Sequence, residues 1–175
     1  VSLGARKTFR AVPGRFELID EGQPFTVVVD YAHTPDGLEN ILKTAEELRR
    51  NRIIAVFGCG GDRDRMKRPI MGRIGASYAD IVIVTSDNPR TEDPDAIVAE
   101  VAAGVKEIAG EKEGFHYEIL VNRRDAIRRA IALAEPGDIV MIAGKGHENY
   151  QILKDRTIHF DDREEARAAL KELGD

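Results

Sequence analysis

Short runs of this chain are apolar almost throughout, and each is separated from the next by a segment with helical periodicity. The runs are Thr26–Asp30, Ile53–Phe57, Ile81–Thr85 and Asp138–Ala143. A strand with one solvated face alternates apolar and polar residues, whereas a strand buried on both faces is apolar along its length. Buried strands that alternate with helices favour a mostly parallel sheet covered on both sides. The sequence therefore predicts an open, doubly wound, Rossmann-like α/β domain.

The segments between these strands carry the spacing of amphipathic helices. Apolar residues recur at i, i+3, i+4 and i+7 after Pro35, which is typical of a helix with one buried face. Helices are predicted over Pro35–Arg49, Arg68–Tyr78, Pro94–Ile108, Asp125–Ala134 and Asp161–Leu173. Asp93 is the expected N-cap of the third helix, and Asp161 with Glu164 an expected capping box at the last. A short strand is predicted over Tyr117–Val121, and a hairpin over Tyr150–Leu153 and Thr157–Phe160.

The beginning of the chain lacks this alternation. Residues Val1–Gly22 are irregular, and Gly22–Pro24 interrupts the pattern before the first buried strand. We expect residues 1–22 to be the tail of a preceding domain with a linker, and residues 23–175 to be the α/β domain.

Composition restricts the class of protein. The 175 residues carry a net charge of −5 and no Trp, which argues against a nucleic-acid partner. No apolar run approaches the roughly 18 residues of a membrane span, and no signal-peptide pattern opens the chain. The single cysteine, Cys59, fits a reducing compartment. The sequence thus predicts a cytoplasmic protein without a membrane partner.

Unusual polar loops follow four of the predicted strands. They are Asp30–Pro35, Gly58–Asp64, Ser86–Arg90 and Gly144–Glu148. Ligands of open parallel sheets bind at the carboxyl ends of the strands. We therefore expect the four loops to share one rim of the sheet and to form a binding site there.

The second loop allows several interpretations. The glycines of Gly58–Gly61 either let backbone amides approach an anion or supply positive φ angles. Neither a Walker A sequence nor a GxGxxG fingerprint is present. Asp62 and Asp64 could ligate a metal, but their arginine neighbours, Arg63 and Arg65, favour ion pairs instead.

The remaining loops carry groups that suit a zwitterionic amino acid. Asn88 and Arg90 flank the rigid Pro89, and an arginine held in this way can grip a carboxylate with two hydrogen bonds. Glu148 could receive an ammonium group. The alternatives are a turn asparagine, a surface arginine and a surface carboxylate.

Nucleophilic catalysis finds less support. His33 and His147 have no evident nucleophile partner and are more often structural in such loops. Basic neighbours could lower the pKa of Cys59, but without an assigned base a thiol mechanism is disfavoured.

Taken in order, the four loops carry a family resemblance. VVVDYAHTPDGLENIL, VFGCGGDRDRMKRPIMG, VTSDNPRTEDP and AGKGHENYQI resemble the C-terminal domain of the Mur ligases, and the similarity covers nearly all of residues 14–173. In that family an N-terminal domain binds the uridine nucleotide, and a central P-loop domain binds ATP and Mg²⁺. The resemblance implies that residues 1–22 end that central domain. It also implies that this chain, which has no P-loop, is inactive alone.

The resemblance further implies a reaction and its residues. The whole enzyme would add meso-diaminopimelate to UDP-MurNAc-L-Ala-D-Glu through an acyl-phosphate, as a step of peptidoglycan synthesis. The implied diaminopimelate pocket comprises Arg63, Asn88, Arg90, Gly144 and Glu148, and the implied nucleotide contacts are Arg15, Tyr31 and His33. Diaminopimelate is favoured over lysine because lysine would leave Arg90 unpaired. The alternatives are the lysine-adding sister ligase and a free-standing module that binds an amino acid or a nucleotide.

Overall fold

A computed structural model describes residues 14–174 of the chain as eight strands and five helices. The strands are β1 (Glu17–Leu18), β2 (Thr26–Asp30), β3 (Ile53–Phe57), β4 (Ile81–Val84), β5 (His116–Ile119), β6 (Ile139–Ala143), β7 (Tyr150–Ile152) and β8 (Thr157–His159). The helices are α1 (Pro35–Leu48), α2 (Lys67–Tyr78), α3 (Pro94–Ala109), α4 (Arg123–Leu133) and α5 (Asp162–Gly174). Among these residues, no helix combines the length and the apolar character needed to cross a bilayer.

Six strands form one sheet in the order β1-β2-β6-β3-β4-β5. Every neighbouring pair is parallel except β1 and β2, which are antiparallel. The remaining strands, β7 and β8, form the predicted antiparallel hairpin. The expectation of an open, mostly parallel sheet is confirmed.

Apolar layers cover both faces of the sheet. On one face, buried residues of α1, α2 and α3 pack against alternate strand residues such as Val28, Ala55 and Val82. On the other face, α4 and α5 pack against the intervening residues, among them Val27 and Ile54. This two-sided burial explains why the strands are apolar at almost every position.

Local capping sets several helix boundaries. Asp93 accepts a hydrogen bond from Asp95 N and caps α3, as predicted. The α4 helix begins two residues earlier than predicted because the Asn122 side chain caps it. Asp161 accepts from Arg163 N at the start of α5. The Glu164 side chain does not complete the expected capping box, because it pairs with His159 instead.

The first described residues join the sheet. Strand β1 pairs with β2, and the side chain of Ile19 just after it is buried in the core. The domain boundary after residue 22 stays a prediction, and residues 1–13 lie outside the described part of the chain.

A buried ion pair joins α4 to α5 under the sheet rim. Arg123 Nε and Nη2 donate to the two carboxylate oxygens of Asp162 at 2.8 and 2.7 Å, and both side chains are fully buried. The same guanidinium donates to the carbonyls of Ser86 and Ala143 at 3.0 and 3.1 Å. Arg123 therefore ties the ends of β4 and β6 to the start of α5.

Removing this arginine should destabilise the fold far more than removing its neighbour. Arg123→Met leaves Asp162 buried and unpaired, and should lower the free energy of unfolding by about 3–5 kcal/mol. Arg124 forms an exposed pair with Glu165, so Arg124→Met should cost at most about 1 kcal/mol. Urea unfolding followed by circular dichroism measures both losses, and equal losses would contradict the assigned role of Arg123.

Candidate functional site

The four polar loops meet at one rim, as expected from the parallel topology. Gly58 lies against the backbone of Thr85, and Gly144 lies beside the Asp87 carboxylate. Gly146 contacts the Cα and Cβ of Tyr31. The loops after β2, β3, β4 and β6 are therefore contiguous.

Close packing explains the glycines of the second loop. A Cβ on Gly58 would lie 1.9 Å from Thr85 O, and one on Gly61 would lie 1.9 Å from Pro89 O. The positive-φ interpretation is wrong, because neither glycine has a positive φ. The amide of Gly61 donates to Asn88 O at 2.8 Å, so it serves the contact between two loops.

The acidic residues of this loop stabilise the backbone. Asp62 accepts from Thr91 Oγ1 at 2.7 Å, and Asp64 accepts from Met66 N at 2.9 Å. The expected ion pairs with Arg63 and Arg65 are not formed within the described residues, since Arg65 pairs with Glu100. No group of three metal-ligating side chains gathers anywhere in residues 14–174.

One basic residue near this loop is fully buried. Arg68 donates to both Glu92 and Glu100 and to the carbonyl of Gly60. The hydrogen bonds from Arg68, followed by one from Asp62 N, lower the pKa of Glu92 to about 2. Sequence reasoning placed Arg68 at the start of a helix but did not predict that its side chain anchors the loop.

Asn88 is held by a buried lysine that sequence reasoning did not single out. Lys145 Nζ donates to Asn88 Oδ1 at 2.8 Å and to Tyr150 O at 3.0 Å, and lies 2.9 Å from Asp87 Oδ1. The amide of Ile152 also donates to Asn88 Oδ1. Burial lowers the pKa of Lys145, and the Asp87 carboxylate opposes that shift.

Arg90 occupies a strained backbone conformation. Its φ is 54°, in the left-handed region that side chains other than glycine rarely adopt. Its amide donates to Ile152 O, and its Nη1 donates to Gly61 O at 3.0 Å. Arg63, which is exposed, also lies beside Gly60. Both arginines of the predicted pocket therefore flank one glycine, and only Arg90 is partly buried.

The last two residues of the predicted pocket lie in the loop after β6. Gly144 has a φ of 122°, and a Cβ there would lie 3.1 Å from Asp87 Oδ2. Glu148 is half-buried, and burial, followed by the charge of Asp87, raises its pKa. A carboxylate with a raised pKa gains from a cation placed beside it.

The three predicted nucleotide contacts form a separate cluster next to this loop. The guanidinium of Arg15 lies 5.8 Å from the centre of the Tyr31 ring. The Tyr31 ring packs edge-on against His33 at 4.7 Å and lies 5.5 Å from the ring of His147. A cation beside aromatic rings suits a flat, anionic ligand.

A cleft of about 560 Å³ lies next to Arg90. It is lined by the residues after β4 and by the hairpin turn, namely residues 89–94 and 153–155. Of the five predicted diaminopimelate contacts, only Arg90 lines it. The other four contacts lie in the loops after β3, β4 and β6 and do not line it, so this cleft is not the predicted pocket.

Cys59 does not have the environment of a catalytic thiol. Its side chain is buried beside Met71, and burial raises its pKa to about 12. The idea that basic neighbours lower this pKa is wrong, because desolvation outweighs the charges of Lys67 and Arg68.

The strain at Arg90 gives a testable difference between two variants. Arg90→Gly and Arg90→Ala both remove the guanidinium, but only glycine relieves the left-handed φ. We expect Arg90→Gly to be more stable than Arg90→Ala by about 1 kcal/mol.

Arg128 is an exposed residue of the helix α4. There Arg128→Ala should instead be more stable than Arg128→Gly, because glycine weakens a helix by about 1 kcal/mol relative to alanine. Denaturant titration of the four variants measures both differences. If the glycine variant were the more stable one at both positions, or the alanine variant at both, the result would contradict backbone strain at Arg90.

Comparison with known proteins identifies the family of the chain. The family model described as Mur ligase, glutamate ligase domain, matches residues 14–146. The UDP-N-acetylmuramoyl-L-alanyl-D-glutamate–2,6-diaminopimelate ligase of Syntrophomonas wolfei subsp. wolfei is 61% identical over 160 residues, covering 91% of this chain and 32% of that protein. The ligase of the same name from Clostridium botulinum is 54% identical over 165 residues, covering 93% of this chain and 33% of that protein.

Solved structures agree with these relatives. A structure of a UDP-N-acetylmuramoyl-L-alanyl-D-glutamate–2,6-diaminopimelate ligase matches with a TM-score of 0.85 and 45% identity, over 94% of this chain and 33% of that chain. The chain thus spans about a third of the length of the relatives it matches. Both the family match and these relatives confirm the resemblance seen in the four loops, and the chain belongs to the Mur ligase family.

Proposed function

We propose that this chain is the amino-acid-binding domain of an ATP-dependent ligase that adds meso-diaminopimelate to UDP-MurNAc-L-Ala-D-Glu in peptidoglycan synthesis. The observation that carries the proposal is the placement of Arg90, Asn88 and Glu148 on one rim. The names of the ligases from Syntrophomonas wolfei and Clostridium botulinum support the same substrate.

The charges of the rim suit a diamino dicarboxylic acid. Arg90 keeps most of its guanidinium donors for a ligand, because only Nη1 bonds within the described residues. A planar guanidinium binds a carboxylate with two parallel hydrogen bonds. Glu148, whose pKa is raised by burial, would receive the ammonium group at the same end of the ligand. Arg63 and Gly144 complete the proposed pocket.

Arg90 also gives a physical reason for selecting diaminopimelate over lysine. Lysine lacks the distal carboxylate, so Arg90 would lose water without gaining a partner. A site built to bond a polar group rejects an analogue without it by about 10⁴-fold.

ATP and Mg²⁺ would act mainly outside this chain. When bound, ATP supplies the phosphoryl group that activates the carboxylate of the dipeptide. Arg15, Tyr31 and His33 suit contact with the edge of a bound nucleotide, because the Arg15 cation lies beside the Tyr31 ring, which packs edge-on against His33. The described residues offer no cluster of metal ligands, so Mg²⁺ would be held by the rest of the enzyme. A buried, unreactive cysteine and nucleotide substrates support a cytoplasmic location.

A chimeric ligase tests the proposal. Residues 14–174 would replace the matching segment of the Syntrophomonas wolfei ligase. Arg90→Ala in this chimera should raise the KM for meso-diaminopimelate at least about 100-fold, because a charge-assisted bidentate contact is lost, while the KM for ATP stays within about twofold.

Arg65→Ala is the matched control, since Arg65 is exposed and pairs with Glu100 outside the proposed pocket. Its KM for diaminopimelate should stay within about twofold of the unmodified chimera. An unchanged KM in Arg90→Ala, or efficient use of L-lysine by the unmodified chimera, would overturn the proposed substrate.

A further inference from the structure

We propose that Lys145 is a positioning residue, which fixes the Asn88 side-chain amide with its nitrogen toward the substrate so that Asn88 can only donate hydrogen bonds to it. The inference rests on the proposed function, and it adds a residue that determines specificity without touching the substrate.

The oxygen of the Asn88 amide is already saturated. It accepts from Lys145 Nζ at 2.8 Å and from Ile152 N at 2.9 Å. An amide oxygen has two lone pairs, so these two donors use its accepting capacity. A flipped amide would turn its own N–H groups toward both donors. The environment therefore permits one orientation.

The nitrogen of the same amide has no partner. Asn88 is 5% exposed, yet Nδ2 makes no hydrogen bond within residues 14–174. It is not fully enclosed either, because it is not among the buried polar atoms without partners. A nearly buried donor without a partner, in a loop of the rim, is suited to an acceptor supplied by a ligand.

The Lys145 ammonium is surrounded by oxygens of the protein. It contacts three oxygens within 3.0 Å: it donates hydrogen bonds to Asn88 Oδ1 and Tyr150 O, and forms an ion pair with Asp87 Oδ1. The side chain is 0% exposed. Three protein oxygens hold the buried ammonium of Lys145 in place, so Lys145 acts through Asn88.

The fixed orientation has a consequence for selectivity. With Nδ2 outward, Asn88 adds donors beside Arg90, and both groups then favour a carboxylate. With Oδ1 outward, the same residue would accept from an ammonium group and would partly accommodate lysine. Removing Lys145 leaves only Ile152 N to hold the oxygen, so the second orientation becomes accessible.

Kinetics of the chimeric ligase separate positioning from general support of the fold. Lys145→Met should raise the KM for meso-diaminopimelate at least about tenfold and lower the preference over L-lysine by a similar factor. Both kcat and the KM for ATP should stay within about threefold.

Lys112→Met is the matched control, because the Lys112 ammonium likewise contacts three oxygens, all of them backbone carbonyls at the end of α2 away from the rim. It should destabilise the fold without changing either KM. Equal changes in the KM for meso-diaminopimelate in Lys145→Met and Lys112→Met would overturn the positioning role of Lys145.

Asn88→Asp distinguishes failure of this inference from failure of the proposed function. It removes both donors and should raise the KM for diaminopimelate whatever Lys145 does. A raised KM in Asn88→Asp with an unchanged KM in Lys145→Met overturns the role of Lys145 and leaves the proposed function standing. An unchanged KM in both variants overturns both.

Nuclear magnetic resonance measures ligand binding to the unmodified chain, so a folding defect of a variant does not affect the result. With ¹⁵N-labelled asparagine, the Asn88 side-chain signal is assigned by its loss in Asn88→Asp. Millimolar meso-diaminopimelate should shift the Asn88 amide protons, and L-lysine should not. Absence of a shift with diaminopimelate would overturn the inference.

Discussion

Buried cations hold the loops of the rim in place. The side chains of Arg68, Arg123 and Lys145 are each 0% exposed, and each reaches a loop carbonyl or side-chain oxygen at the end of a parallel strand. A buried charge without partners is costly, so each loop must keep its oxygens where the cation can reach them. The apolar layers define the sheet, and these three cations define the shape of the loops above it.

This arrangement gives the rim the rigidity that selective binding requires. Arg90 keeps a left-handed φ because its backbone is bonded to Ile152 and its side chain to Gly61. Strain of this kind persists only where surrounding contacts impose it, and it is common at ligand sites. A side chain held in advance loses less entropy when it binds, so the proposed pocket needs little rearrangement for its carboxylate contact.

The fold and the motif residues could be predicted from the sequence, whereas the buried side chains that support the loops could not. Apolar strands separated by helices indicated a doubly wound sheet, and DNPR placed Asn88 and Arg90 on its rim. Lys145, Arg68 and Arg123 escaped notice because charged residues are exposed by default, and only tertiary packing reveals which are buried. The close packing of Gly58 and Gly61 could not be predicted for a related reason: the atoms that crowd them belong to a loop distant in sequence.

Calorimetric titration of this chain with meso-diaminopimelate and L-lysine tests the central claim most directly. If the buried cations hold the pocket in its binding conformation before the ligand arrives, diaminopimelate binds with millimolar affinity or better and L-lysine gives no heat of binding. Arg90→Ala then weakens diaminopimelate binding at least about tenfold. Equal affinity for both amino acids, or diaminopimelate binding that survives Arg90→Ala unchanged, would contradict a selector built into this rim.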